Sequence, residues 1–286
     1  MFANQVDLSL FNEHLEDKTL QAYFNRVGYS GEKEATYSTL ELLHYLHPQA
    51  IPFENLNPFL GIPVQLQLSD LIKKMVLEGR GGYCFEQNIL FGHVLKTMGF
   101  LVRGLSARVF WEVPEGEVKP RDHMLLLVQV GGRKYIADVG FGGSSFTAPL
   151  SLDQMEEQLT PHEKYRINKV DDFFYLEIMI REEWRLLYRF SLEPQLLPDY
   201  EVVNWYLGHH PASMFVTSLM AARCMPWGRY ALFNNQFTTH RKNEASIKQT
   251  LTDIREYKAL LEEVFLIQLP DHEGMMEKLK KVVTEA

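Results

Sequence analysis

The segment around one of the two cysteines has the composition of a nucleophilic site. Gly81 and Gly82 allow a tight, strained approach, and the pattern that follows Tyr83 predicts a helix beginning at about Cys84. The free N–H groups and partial positive charge at a helix start favour a thiolate and could stabilise an oxyanion. A buried, inert cysteine is the ordinary alternative, and this segment alone leaves both interpretations open.

A histidine and an aspartate fall on one predicted hairpin. His123 begins an apolar run, the pair Gly131-Gly132 follows, and the next run ends at Asp138. A two-residue turn there puts His123 and Asp138 on the same sheet face as diagonal neighbours, about 7–8 Å apart. We therefore expect a nucleophile Cys84, a base His123 and an orienting Asp138, although a core histidine and a strand-end cap are the separate alternatives.

A glycine-rich segment continues directly from Asp138. It contains Gly142 and Gly143 followed by two serines. Consecutive backbone N–H groups in such a turn can cradle a phosphate, although glycine-rich loops after strands are common. Beside the expected aspartate, the segment is interpreted as a site for a phosphorylated acyl carrier such as coenzyme A.

Three regions of different periodicity carry these residues. Residues 1–100 have helical spacing and contain Cys84, residues 101–195 have strand spacing and contain His123 and Asp138, and residues 196–286 are mixed. The strand region predicts a meander or small barrel.

Helix ends and strands follow from local signals. We expect Asp17 to cap a helix that Gly28 stops, and Ser38 with Glu41 to cap a second helix that Pro48 ends. Gly99 closes the helix that begins at Cys84. The expected strands are Leu101–Val113, His123–Val130, Lys134–Val139, Tyr165–Val170, Phe173–Ile180, Trp184–Leu192, Arg229–Phe233 and Gln236–Arg241, with Asn234-Asn235 as a hairpin turn and Pro194 and Pro198 as a boundary.

Taken together, these motifs closely resemble the arylamine N-acetyltransferase family. The resemblance rests on three motifs in the expected order, supported by two further segments. They are Arg80-Gly-Gly-Tyr-Cys84-Phe-Glu-Gln-Asn88, the run that begins His123-Met-Leu-Leu, and Asp138-Val-Gly-Phe-Gly142, with Ile51–Leu56 and Gly228–Asn235 in support.

The resemblance implies an α+β fold with a helical N-terminal domain (1–100), a central β-barrel (101–195) and a C-terminal α/β lid (196–286). It implies a cysteine-protease-like arrangement of Cys84, His123 and Asp138. Acetyl-CoA would be the co-substrate and an aromatic amine or hydrazine the acceptor, as in xenobiotic metabolism.

The resemblance also assigns the neighbours of the site. Arg80 would be a structural neighbour, and Phe53 and Phe141 would be apolar walls for the acceptor. Gly142 and Gly143 would contact the substrate or CoA. Two departures stand out: the loop after Gly142 lacks an early proline, and Asp122 stands where a small hydroxyl residue is expected, so that its carboxylate could perturb the titration of His123 or point outward.

Two other functions use the same residues. A cysteine hydrolase or transglutaminase-like enzyme would cleave an amide with the same three side chains. A binding protein would use them only to shape a pocket.

Bulk properties restrict the partners. A net charge of −8 and a pI of about 5.7 argue against nucleic acid and anionic membranes. No run reaches the roughly 18 apolar residues of a membrane span, and Met1–Leu10 lacks the pattern of a signal peptide, so we expect a cytoplasmic protein. We expect acetyl-CoA as a co-substrate and no bound cofactor. Cys224 is expected to pack in the interior, and neither His44 with His47 nor His209-His210 has a third ligand that would indicate a metal.

Overall fold

The computed structural model describes residues 10–114 and 116–285, so residues 1–9, on which the signal-peptide prediction depends, lie outside it. The described helices are α1 (Asp17–Val27), α2 (Tyr37–Ala50), α3 (Leu56–Leu60), α4 (Leu68–Leu71), α5 (Cys84–Thr97), α6 (Leu197–His209), α7 (Met214–Thr217), α8 (Ile254–Ala259) and α9 (Met275–Glu285). Wider π-helical turns continue α4 over Ile72–Leu77 and α8 over Leu260–Val264. No helix within these ranges is long and apolar enough to cross a membrane.

The strands form two antiparallel sheets. They are β1 (Phe53–Glu54), β2 (Leu101–Val109), β3 (His123–Val130), β4 (Arg133–Ala137), β5 (Leu150–Ser151), β6 (Gln158–Leu159), β7 (Lys164–Val170), β8 (Phe173–Ile180), β9 (Glu183–Phe190), β10 (Met220–Met225), β11 (Gly228–Phe233), β12 (Gln236–Arg241) and β13 (Ile247–Thr250). The predicted α+β class, with a helical first region, a nearly closed barrel and an α/β last region, is confirmed.

Two helix caps differ from their predictions. The residue that caps α1 is Glu16, and Asp17 is the first helical residue, where its negative charge still suits the helix N-terminus. Thr36, not Ser38, caps α2, and its side chain accepts a hydrogen bond from the Thr39 N–H at 3.2 Å.

Pro48 does not end α2 as predicted. The helix continues to Ala50, and the Ile51 N–H closes its last turn on the His47 carbonyl at 2.8 Å. Because Pro48 lies so near the C-terminal end, the missing proline N–H removes one intrahelical bond without preventing the last turn.

The helix that begins at Cys84, α5, lies at the centre of the first hydrophobic core. Its residues from Cys84 to Leu95 are all buried, and Gly99 follows with a φ of 92°. A helix that is buried on all sides needs partners on every face, and these come from the other helices and from the barrel strands β2 and β3.

One of those partners, α6, comes from the last region of the chain. Pro198 lies in its first turn, where proline is favourable, and the Asp199 carboxylate accepts the Leu196 N–H at 2.8 Å. Tyr200 and Leu207 pack into the first core. Pro198 thus lies in the first turn of a helix that joins the helical region, instead of only marking a boundary.

The barrel contains the predicted Gly-Gly hairpin. Val130 pairs with Arg133 and Leu126 with Ala137, which confirms the predicted register between β3 and β4. The neighbouring strand β2 ends at Val109 rather than at Val113, because the chain turns there and Glu112 has a φ of 54°.

A side chain joins the two edges of the barrel sheet. The strand order is β5-β4-β3-β2-β9-β8-β7-β6, so β5 and β6 are its edges. The Gln158 carboxamide in β6 accepts the Ser151 N–H at 2.7 Å and donates to the Ser151 carbonyl at 3.0 Å. The Gln158 carboxamide thus forms the two hydrogen bonds to β5 that the backbone of a neighbouring strand would form.

The second sheet combines distant segments. Its order is β1-β10-β11-β12-β13, and β1 pairs Phe53 with Ala222 of β10. The predicted Asn234-Asn235 turn joins β11 to β12, with Asn234 at a φ of 50°. The helical region is therefore hydrogen-bonded directly to the last region.

We expect Gln158→Ala to lower the free energy of unfolding by about 1–3 kcal/mol, because it removes both bonds across the barrel edge. Urea denaturation followed by circular dichroism measures this change. Gln154→Ala is the matched control, because the exposed Gln154 side chain bonds only to the nearby Glu157 carbonyl. Equal unfolding midpoints for the two variants would show that the carboxamide does not stabilise the barrel edge.

Candidate active site

Cys84 is the first residue of α5, as its sequence predicts. It is 3% exposed, and the Glu86 carboxylate accepts the N–H of Tyr83, the residue before it, at 3.0 Å. The two glycines ahead of it serve close packing rather than backbone strain, and neither has a positive φ. A Cβ on Gly81 would lie 2.1 Å from the Pro52 carbonyl oxygen, so only glycine fits there.

A buried ion-pair cluster supports the approach to Cys84. Arg80 binds the fully buried Glu54 at 2.8 Å, and Lys74 binds Glu86 at 2.7 Å. Burial alone would raise the pKa of Glu54, but the nearby Arg80 and Lys74 lower it, so Glu54 is ionised. The two ion pairs, Arg80 with Glu54 and Lys74 with Glu86, fix both ends of the loop that leads into α5.

His123 and Asp138 are in direct contact. His123 Nε2 lies 2.6 Å from Asp138 Oδ2, and both side chains are buried. Cys84 is close enough to His123 to raise the pKa of its ring, and since Nε2 faces Asp138, Nδ1 is the nitrogen left for the thiol. The structure thus brings the three predicted residues together.

The Asp138 carboxylate is held by four donors. Its Oδ1 accepts from Asn88 Nδ2 and from the Gly140 N–H, both at 3.0 Å, and its Oδ2 accepts from the Tyr188 hydroxyl at 3.1 Å and from His123. Four donors leave the carboxylate one orientation, and that orientation fixes the plane of the His123 ring.

The charges of this pair are opposite and mutually stabilised. Burial alone would lower the pKa of His123, but the Asp138 charge, its hydrogen bond and the neighbouring Cys84 raise that pKa to about 10. Burial would raise the pKa of Asp138, whereas His123 and the other donors lower it. At neutral pH the pair is therefore an imidazolium and a carboxylate.

Three residues that the sequence did not assign to the site also fix Asp138. Asn88 lies one helical turn after Cys84 and accepts the Val139 N–H at 3.1 Å. Its spacing puts it on the same helix face as Cys84 but does not identify its partner. Tyr188 lies on the predicted strand Trp184–Leu192, but no local signal shows that it reaches Asp138. His44 in α2 accepts the Asp138 N–H at 3.0 Å.

His44 is a neutral core histidine. Burial lowers its pKa to about 3, although the nearby Asp138 opposes that shift. Its Nδ1 has no hydrogen-bond partner within the described residues, and its ring stacks on Phe146 at 5.3 Å. In the part of the chain that the structure describes, no group of His, Cys, Asp or Glu could hold a metal ion.

Aromatic side chains lie beside His123. The Phe141 ring meets the His123 ring edge-on at 5.0 Å and lies 5.3 Å from the Tyr188 ring. Phe53 is close to Gly142, where an added Cβ would lie 3.4 Å from its ring. Both phenylalanines keep partial exposure, so they present apolar surface.

Asp122 lies beside the thiol. Its backbone carbonyl is 3.9 Å from Cys84 Sγ, and its side chain is partly buried. Burial raises the pKa of the Asp122 carboxyl, opposed by His123, Lys119 and Arg108. The carboxyl is therefore a weaker acid than an exposed aspartate.

The glycine-rich segment forms a turn beside Phe141. Gly142 has a φ of 81°, and its carbonyl accepts the Ser145 N–H at 3.2 Å. Gly143 is exposed, and nothing lies within 4 Å of a Cβ placed on it. The space beside Gly143 is therefore open, without side chains in the way.

Known proteins are similar to this chain over most of its length. The model of an N-acetyltransferase family matches residues 36–273. The arylamine N-acetyltransferase of Mycobacterium tuberculosis (strain H37Rv) is 41% identical over 256 residues, covering 88% of this chain and 90% of that protein. The Escherichia coli K12 arylamine N-acetyltransferase is 39% identical over 253 residues, with the same coverage of 88% and 90%.

A solved structure extends the comparison to the fold. The structure of the Mycobacterium marinum arylamine N-acetyltransferase in complex with CoA superposes with a TM-score of 0.88 at 37% identity. The match covers 92% of this chain and 99% of that one.

We expect the His123 ring to remain protonated until the pH approaches about 10. Asp138→Asn removes the opposing charge, so that burial dominates and the ring titrates below its ordinary value of 6.5. NMR of ¹³C-labelled histidine measures both titrations, with His123→Gln to assign the signal. Tyr188→Phe, which removes one hydrogen bond and keeps the charge, is the control, and neutral His123 in the wild type at pH 7 would contradict the ion pair.

The same pair predicts how stability depends on pH. The pKa of His123 in the folded protein is above its ordinary value of 6.5. The stability that the protonated ring contributes is therefore complete below pH 6.5 and is lost as the pH rises through about 10. The folded pKa of Asp138 is below its ordinary 3.8, so its contribution is present above that pH and lost on acidification. The difference in unfolding free energy between wild type and Asp138→Asn should therefore shrink between pH 6.5 and about 10, whereas a constant difference would contradict the linkage.

Proposed function

The chain belongs to the arylamine N-acetyltransferase family, and from this premise we propose that it transfers an acetyl group from acetyl-CoA to an aromatic amine or hydrazine through a thioester on Cys84. It is an acyltransferase by its family. The observations that carry the finer proposal are the 2.6 Å hydrogen bond between His123 and Asp138 and the nearness of Cys84, which raises the pKa of His123.

In the first half-reaction the Cys84 thiolate attacks the thioester carbonyl of acetyl-CoA. A bond forms between Sγ and the acetyl carbon, and the bond from that carbon to the CoA sulfur breaks. The His123 imidazolium gives its proton to the leaving CoA thiolate, so the products are acetyl-Cys84, neutral His123 and CoA. Asp138 keeps the His123 ring oriented while the charge of that ring changes.

In the second half-reaction the amine nitrogen attacks acetyl-Cys84. Neutral His123 accepts the proton that the nitrogen loses, and Cys84 leaves as a thiolate. The imidazolium–thiolate pair is restored, and all atoms and charges balance over the two steps. Since Cys84 begins α5, the backbone N–H groups of that helix start would stabilise the oxyanion in both steps.

The chemistry explains the choice of both substrates. Exchange of one thioester for another is nearly balanced in free energy, so acetyl-CoA loads Cys84 readily. The acceptor must be nucleophilic in its neutral form, which favours anilines and hydrazines over alkyl amines such as lysine. The apolar surface of Phe53 and Phe141 suits an aromatic ring on that acceptor.

We assign the donor to the loop that contains Gly142 and Gly143. Accessible backbone N–H groups in a turn suit the phosphates of CoA, and the related M. marinum protein was solved with CoA. A free catalytic thiol and this donor both suit the reducing cytoplasm, which is where we place the reaction.

A cysteine hydrolase or transglutaminase-like enzyme remains the chemical alternative for these three residues. Water, or an amine on a protein, would then resolve an acyl group taken from an amide. Such an enzyme would not accumulate an acetyl group from acetyl-CoA, and this difference separates the two functions.

We expect acetyl-CoA alone, without acceptor, to add the mass of one acetyl group to the protein. Intact mass spectrometry should show the adduct in wild type and in Cys224→Ser, and not in Cys84→Ala. Adding an arylamine should then remove the adduct and yield the acetylated amine. No adduct in the folded wild type, or an adduct that persists in Cys84→Ala, would overturn the proposal.

A further inference from the structure

A buried cation from the last region of the chain contacts the glycine-rich loop. Arg229 lies in β11, is 4% exposed, and donates from Nη1 to the Gly143 carbonyl. Its Nη2 binds the Glu163 carboxylate. A single guanidinium thus joins the second sheet, the barrel and the loop, across positions 86 residues apart.

A second side chain holds the next carbonyl of the loop. The Tyr165 hydroxyl donates to the Ser144 carbonyl at 3.2 Å, and Tyr165 is fully buried beside Arg229. Two successive carbonyls of the loop therefore face the interior.

The inward carbonyls determine where the loop amides point. In a trans peptide the C=O of one residue and the N–H of the next point in opposite directions. With the Gly143 carbonyl directed at Arg229, the Ser144 N–H is directed away from Arg229, on the open side where Gly143 is exposed. The guanidinium thereby sets the direction of a backbone donor.

The contact between Arg229 and the Gly143 carbonyl is stable because neighbouring groups balance the buried positive charge. Burial alone would lower the pKa of Arg229, but Glu163 and Tyr165 raise it, so the guanidinium stays charged. Its fork-shaped donor set satisfies the carbonyl and the carboxylate at once, which a lysine ammonium does with less geometric control.

We propose that Arg229 is a positioning residue for the donor: it holds the Gly143–Ser144 peptide so that its N–H faces the pyrophosphate of acetyl-CoA. This inference rests on the proposed function and adds to it a residue in the last region of the chain. Arg229 acts through the loop and does not touch the reacting atoms.

A purely structural role for Arg229 is the alternative, and the chain offers a matched control for it. Arg223 lies on the adjacent strand β10 and also joins the sheet to other parts of the protein through carbonyls. Its Nε donates to the Gln49 carbonyl and its Nη1 to the Val264 carbonyl, both at 2.7 Å. Neither carbonyl belongs to the glycine-rich loop.

The test compares two acetyl donors in the half-reaction that loads Cys84. Acetyl-CoA has the pyrophosphate, whereas p-nitrophenyl acetate has no phosphate and reaches the same thiol. In Arg229→Gln the ratio of the second-order rate constants, acetyl-CoA over the ester, should fall by about tenfold or more, as for the loss of a charge-assisted hydrogen bond. The ratio should fall less in Arg229→Lys, and should stay within about twofold of wild type in Arg223→Gln.

Tyr165→Phe provides a second variant should Arg229→Gln not fold. It keeps the ring in the core and removes the hydrogen bond to the Ser144 carbonyl, so the ratio should fall by a few-fold, about 2- to 10-fold. The affinity for CoA, measured by calorimetry, should fall in the same order across the variants.

The outcomes separate the two proposals. Arg229 only stabilises the fold if Arg229→Gln and Tyr165→Phe slow the loading of Cys84 equally with both donors. The same conclusion follows if Arg223→Gln lowers the ratio of rate constants as much as Arg229→Gln does. A wild type that p-nitrophenyl acetate labels and acetyl-CoA does not would overturn the proposed function itself, and the donor role of Arg229 with it.

Discussion

The buried charge of Asp138 is the constraint on which the arrangement of the site depends. Leaving such a charge without partners costs several kcal/mol, so the fold must supply donors to it. Those donors come from separate elements: Asn88 from α5, His123 from β3, Tyr188 from β9, and the Gly140 N–H from its own loop. Only Asn88 comes from the helical region, so its bond to Asp138 holds that region against the barrel, and the resulting position also brings Cys84 close to His123.

The absence of a side chain at Gly140 makes this close packing possible. A Cβ there would lie 2.8 Å from Cys84 Cα and 2.9 Å from Asn88 Nδ2, so any other residue would push the loop after β4 away from the start of α5. Gly81 has the same effect on the other side, against the Pro52 carbonyl. The start of α5 is thus packed against the loop after β4, and the segment that leads into it is packed against Pro52.

The parts of the site that follow from local rules could be predicted from the sequence. A two-residue turn sets the register of β3 and β4, and that register alone places His123 and Asp138 on one face. Helical periodicity likewise puts Asn88 one turn from Cys84. The features that could not be predicted from the sequence depend on contacts between distant segments. They are the pairing of β1 with β10, the Gln158 bridge at the barrel edge, and the bond from Arg229 to Gly143. Such contacts leave no local pattern, because each partner is an ordinary residue for its own element.

One short stretch of chain connects the three chemical tasks. In the proposed reaction it begins at Asp138, which orients the base His123, passes Phe141, which contacts that base, and reaches Gly143, which Arg229 holds. In the proposed reaction Phe141 lines the acceptor side while Gly142 and Gly143 line the donor side, so the two substrates use adjacent residues of one loop. Adjacent sites of this kind hinder simultaneous occupation. An enzyme built in this way must keep the acetyl group while CoA leaves and the amine enters, and a thiol at the start of α5 is the group that can do so.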